Sequence, residues 1–165
     1  KIIYNKYIYI MNTIITGTKA LTLVSGLSTD LLVQTIKTTS SGIISTIKFI
    51  STYNTIDISI LKKDLETIDL ENKINIINKF IEEIESIKNI KESIKSSIKS
   101  VHDILEKINN ELELIKEDIK YHQTKYFNSW RSIYCDEKIE NIKCHNIILD
   151  KRFDLLMKLL SAKFD

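Results

Sequence analysis

ESIKSSIKSVHDILEKINNELELIKEDIKYHQTKY, residues Glu92–Tyr126, decides the fold. Ile94, Ile98, Val101, Leu105, Ile108, Leu112, Ile115, Ile119, His122 and Tyr126 follow one another at alternating steps of four and three. An α-helix turns about 100° per residue, so this series stays on one side of a helix along the whole stretch. Such alternation marks a coiled-coil seam or the core stripe of a long bundle helix. It predicts a helix over Glu92–Arg131, about 60 Å long at about 1.5 Å per residue.

The same period extends in both directions. Upstream, Ile74, Ile77, Phe80, Ile81, Ile84 and Ile87 step by three and four within the stretch that begins DLENKINIINKFIEEI (Asp69–Ile84). The register then stumbles near Lys88–Lys91. Asn89 tolerates the left-handed conformation that ends helices, so a break is expected there; one continuous helix with a stammer is the alternative. A short helix, Asp57–Leu65, is expected to start on a capping aspartate. Downstream, the series Ile139, Ile142, His145, Leu149, Phe153, Leu156 and Leu160 predicts a last helix, separated by a break at Ser132–Cys135 and capped by Asp136.

TIITGTKALTLVSGLSTDLLVQTIKTTSSGIISTIKFI, Thr13–Ile50, is of a different kind. Its charges, Lys19, Asp30, Lys37 and Lys48, are 11, 7 and 11 residues apart, which puts all of them on one stripe of one helix. Ile, Leu, Val, Thr, Ser and Gly fill the rest of the circumference. A helix apolar nearly all round is covered by other helices or by lipid. No window of about 20 residues is free of charge, which argues against a simple transmembrane span. The expectation is one helix over Thr13–Tyr53, buried centrally, with Gly17, Gly26 and Gly42 permitting close approach. The alternative is a membrane-acting bundle that inserts Thr13–Ile50 into a bilayer or lays it on the surface. The predicted architecture is therefore all-α: an elongated four-helix bundle of two long and two shorter helices with a coiled-coil-like seam.

Residues 11–165 are expected to form this single helical-bundle domain. Residues 1–10, KIIYNKYIYI, precede Met11 and are taken as a non-native leader or a disordered N-terminal extension; a fragment of a longer chain is the alternative. About a fifth of the chain is Ile, Gly occurs three times and Pro never, which is the vocabulary of an AT-rich genome, so the Ile content is not strand propensity. The formal net charge is only +2, and among 24 basic residues Arg occurs solely at Arg131 and Arg152. This excludes the basic, arginine-rich profile of a dedicated nucleic-acid binder. Cys135 and Cys144 are the only cysteines and no signal peptide is legible. Free thiols in a reducing, intracellular compartment are expected, with a disulfide across nine residues as the alternative.

Chemistry-bearing groups are sparse. His102–Asp103 and Cys144–His145 are sequence neighbours whose side chains diverge by about 100° on a helix, so neither reads as a relay pair. His122 and His145 occupy seam positions, where polar residues set register. His122, Cys135, Cys144 and His145 lack the spacing of a metal site. No phosphate loop, nucleophile elbow or zinc-protease motif occurs. Glu82, Glu83 and Glu85 read as a solvated helix face. No catalytic, cofactor-binding or metal-binding residue, cofactor or small-molecule substrate is expected, and the chain is not expected to be an enzyme. One stretch stands out: YHQTKYFNSWRS (Tyr121–Ser132). Tyr126, Phe127, Trp130 and Arg131 either plug the bundle end or form a docking cluster of the composition enriched at protein interfaces.

That stretch, Asp69–Ile84 and LDKRFDLLMKLL (Leu149–Leu160) together resemble uncharacterised helical proteins of giant, Mimivirus-like DNA viruses. The resemblance implies a viral origin and no activity. The expected function is non-enzymatic: protein contact or self-association, as a scaffold, virion or host-interaction component in the host cytoplasm or the virion.

Overall fold

The computed structural model describes residues 28–53, 56–85, 87, 90–124 and 133–164. Five helices occupy 90% of them, and no strand occurs among the described residues. They are α1 (Thr29–Ser51), α2 (Ile56–Thr67), α3 (Leu70–Glu85), α4 (Glu92–Gln123) and α5 (Asp136–Phe164).

Of the α4 series, His122 is half-buried and Tyr126 lies outside the described residues, while the other eight positions, Ile94, Ile98, Val101, Leu105, Ile108, Leu112, Ile115 and Ile119, are buried. Ile104, Ser97 and His102 join them because α4 has a neighbour on each flank, which widens the covered stripe beyond a two-position seam. The helix stops earlier than Arg131. Thr124 turns it off by returning its N–H and its hydroxyl to the carbonyl of Tyr121. The break before α4 is real: α3 ends at Glu85 and Lys91 stands in extended backbone at the entry to α4. Asn89 lies outside the described residues.

The first helix corrects the sequence reading. Ser28 is extended (φ −62°, ψ 155°) and its hydroxyl accepts the N–H of Leu31 at 3.3 Å, a capping arrangement that starts α1 there. A single helix from Thr13 to Tyr53 is thereby interrupted, and residues 13–27 lie outside the described residues. Nor is α1 central. Leu32, Val33, Ile36, Ile43, Ile47 and Ile50 form one buried face, while Gln34, Thr38, Ser41, Ser45 and Lys48 are exposed. Outward hydroxyls of α1 bond to carbonyls one turn back, as Thr38 does to Gln34. A polar face made of Thr and Ser looks nearly apolar by composition yet is compatible with water.

Named contacts give the arrangement. Gly42 meets Asn109 and Thr46 donates to Glu113, so α1 and α4 run parallel. A Cβ on Gly42 would come within 2.9 Å of Asn109 Oδ1, which is why the close approach falls at a glycine. Lys138 pairs with Asp118, Asn141 with Glu111, and Arg152 donates to the Ser100 carbonyl at 2.6 Å, so α5 runs antiparallel to α4. Gln34 and Lys37 in the first half of α1 reach Glu85 at the end of α3, while Ile47 and Ser51 at the end of α1 line one cleft with Leu70 and Glu71 at the start of α3, so α3 runs antiparallel to α1. Lys73 bridges to Asp150 at 2.6 Å and Phe80 meets Phe153 edge-on at 5.3 Å, which closes the ring by setting α3 parallel to α5. One hydrophobic core fills the space between these four helices, and α2 contributes Ile58, Leu61 and Leu65 to it.

The α2–α3 corner turns on Asp69, which has φ 51°. Its carboxylate accepts the Asn72 side-chain amide at 3.0 Å, and its carbonyl accepts the N–H of Lys73 in the first turn of α3. Aspartate tolerates the left-handed region better than residues with a larger or branched Cβ. Asp69→Val is therefore expected to cost about 1–2 kcal/mol, read from the urea midpoint.

The last helix shifts one assignment. Its buried series is Ile139, Ile142, Asn146, Leu149, Leu156 and Leu160, with Phe153 packed against the core, so steps of three and four alternate throughout. Asn146, not His145, holds the seam position, and it accepts the Lys73 ammonium at 3.0 Å. Asp136 is the first helical residue rather than the cap. Cys135 precedes it and its carbonyl accepts the Ile139 N–H, while Asp136 and Glu137 suit the positive end of the helix dipole.

Candidate interaction surface

Tyr126, Phe127, Trp130 and Arg131 all lie outside the described residues, between the ends of α4 and α5. The described surface offers another candidate, on α5. Cys144, Ile148, Lys151, Leu155 and Lys158 follow at steps of four, three, four and three, and every one of them is exposed. Ile147, 55% exposed, flanks the stripe. The helix thus carries two heptad stripes, one turned into the core and one turned outward. Charge is graded along the outward side: Glu137 and Glu140 are exposed near its start, Lys151 and Lys158 farther on. A sequence signal existed for this second stripe, namely the period of Cys144–Lys158. It was obscured because a helix with apolar residues on two sides looks weakly amphipathic.

His145 faces α4, near Lys107 and Glu111. Burial and the Lys107 charge push its pKa below the ordinary 6.5, against an opposite pull from Glu111. The unfolded chain therefore binds this proton more readily than the folded one. Stability is retained above pH 6.5 and declines as the pH falls from there through the lower folded value. His145→Gln is expected to flatten that part of a stability–pH curve. Glu85 and Glu113 act only in more acid solution. Lys37 holds the Glu85 carboxyl below its ordinary 4.5; at Glu113 the opposing effect of burial is outweighed by bonds from Lys116 and Thr46. Both contributions are lost as the pH falls below 4.5.

The cysteines are free thiols, Cys135 buried and Cys144 exposed. Among the described residues His122, Cys135, Cys144 and His145 are not gathered into one group of donors. Among the described residues the donors that gather are His102, Asp103 and Glu106, whose ligand atoms lie within 4.8 Å of one another. His102 and Asp103 are closer than their angular separation implied, with Nδ1 3.9 Å from Oδ1, too far for a hydrogen bond and so still no relay. Among the described residues no helix is long and apolar enough to cross a membrane.

Comparison with known proteins bears out the viral resemblance. Over 69 residues the chain is 39% identical to an uncharacterised protein of Acanthamoeba polyphaga mimivirus, a match covering 42% of this chain and 34% of that protein. The matched region thus spans about a third of the relative's length. No protein-family model matches the chain, and no solved structure does.

Proposed function

We propose that this chain works without catalysis, through protein contacts, as a scaffold, virion or host-interaction component, and that α5 carries the contact. The fold behind this reading is an elongated up-down-up-down bundle of α1, α3, α4 and α5, with α2 at one end. The carrying observation is the exposed stripe of Cys144, Ile148 and Leu155, spaced as a seam that expects a facing helix. A second copy of the chain is the occupant best matched by charge. Two α5 helices packed antiparallel about a two-fold axis between Ile148 and Lys151 would bring Cys144 to Leu155 of the other copy. Ile148 would then lie along the aliphatic stem of Lys151, and the acidic start of each helix beside Lys158 of the other. The free thiols fit a reducing compartment. The membrane alternative draws no support from α1, whose outward face is hydroxylated and charged.

Charge exchange tests the pairing. Glu140→Lys is expected to weaken self-association, and adding Lys158→Glu is expected to restore it. Two single reversals that each weaken association with no recovery in the double variant would reject the antiparallel arrangement.

A further inference from the structure

We infer that His102, Asp103 and Glu106 form a binding site for a divalent transition-metal ion of the zinc class. They stand at i, i+1 and i+4 on α4, so His102 and Glu106 share one face a turn apart and Asp103 sits beside them. Their ligand atoms already lie within 4.8 Å of one another.

The second observation is the histidine itself. His102 is 5% exposed, and its Nδ1 is buried without a hydrogen-bond partner. Buried polar atoms are nearly always satisfied, so an orphaned ring nitrogen directed at a carboxylate 3.9 Å away calls for a partner. A second imidazole nitrogen, His145 Nδ1, and other atoms such as Ser40 Oγ and Asn109 Oδ1 are also buried without a partner, but among the described residues only His102 stands in a group of metal-ligating side chains. In the tautomer with its proton on Nε2, the imidazole keeps a free lone pair on Nδ1, 3.9 Å from the Asp103 carboxylate. An ion there would supply the missing partner and offset the crowding of two negative charges.

The donor set selects the ion. One imidazole and two carboxylates suit a first-row divalent ion such as zinc, with bonds of about 2.0–2.2 Å, and lack the thiolates of most structural zinc sites. Tetrahedral ligands at that length lie about 3.4 Å apart, so the three side chains need only small rotations to close. Asp103 and Glu106 are half-buried, which leaves the outer side of the ion open to water as a fourth ligand.

Calorimetric titration of the full chain with zinc chloride, in a phosphine reductant, tests the site. One equivalent is expected to bind and to raise the thermal midpoint. Asp103→Asn and Glu106→Gln, both at half-buried positions where the fold is retained, are each expected to weaken binding at least about tenfold and to abolish the thermal shift. Cys144→Ser is expected to leave both readouts unchanged. Absence of saturable binding by the full chain would overturn the assignment. So would binding that survives in both carboxylate variants or disappears with Cys144→Ser.

Discussion

Leu112→Ala is expected to lower the unfolding free energy by about 2–5 kcal/mol, whereas Glu117→Ala, five residues on, is expected to stay within about 0.5 kcal/mol. Leu112 is fully buried in the middle of the α4 seam, so truncation loses its burial and leaves a cavity between helices that cannot all collapse inward. Glu117 is exposed. Glu113 is not an equally neutral control. Its carboxylate accepts from Thr46 of α1 and from Lys116, so Glu113→Ala is expected to cost about 1 kcal/mol through the orphaned hydroxyl. Urea denaturation of the three variants, with an unchanged slope, is the measurement. Equal losses at Leu112 and Glu117 would mean that the α4 register is wrong.

Ile43→Asp is expected to be more severe, costing about 4 kcal/mol or more and abolishing cooperative unfolding near room temperature. Ile43 is fully buried on the single inward face of α1, within the hydrophobic core, where a carboxylate loses its hydration. Ser41→Asp, two positions away on the exposed face, is expected to stay within about 0.5 kcal/mol. The pair separates a one-sided α1 from a helix covered all round, because only the second makes both substitutions severe.

The helices whose apolar residues repeat with a clean period were legible in the sequence. The seams of α3 and α4 follow from spacing, because burial on one side enforces that spacing; the break between them showed only as a stumble in register, which a continuous helix with a stammer fits equally well. Three features were missed, each for a physical reason. Threonine and serine on α1 bond to their own helix and so tolerate water, which hid its polar face. His145 and Asn146 are adjacent polar residues in an otherwise apolar series; the strict alternation of three and four selects Asn146, but one misplaced step between two polar residues leaves the apolar positions unchanged and so went unnoticed. The end of α4 at Gln123 depends on a local turn at Thr124, while the apolar period runs past it to Tyr126. For the candidate surface, attention to the aromatic cluster drew the reading away from α5, where the repeated outward spacing was present but diluted by two lysines.

Sedimentation equilibrium of the full chain beside the Ile148→Glu, Leu155→Glu double variant tests the central claim most directly. Both positions are exposed in the single chain, so the variant is expected to keep its helical spectrum and its thermal midpoint. The account predicts a dimer for the parent chain and a monomer for the variant at the same concentration. A parent chain that stays monomeric into the high micromolar range, or a variant that dimerises as the parent does, would contradict it.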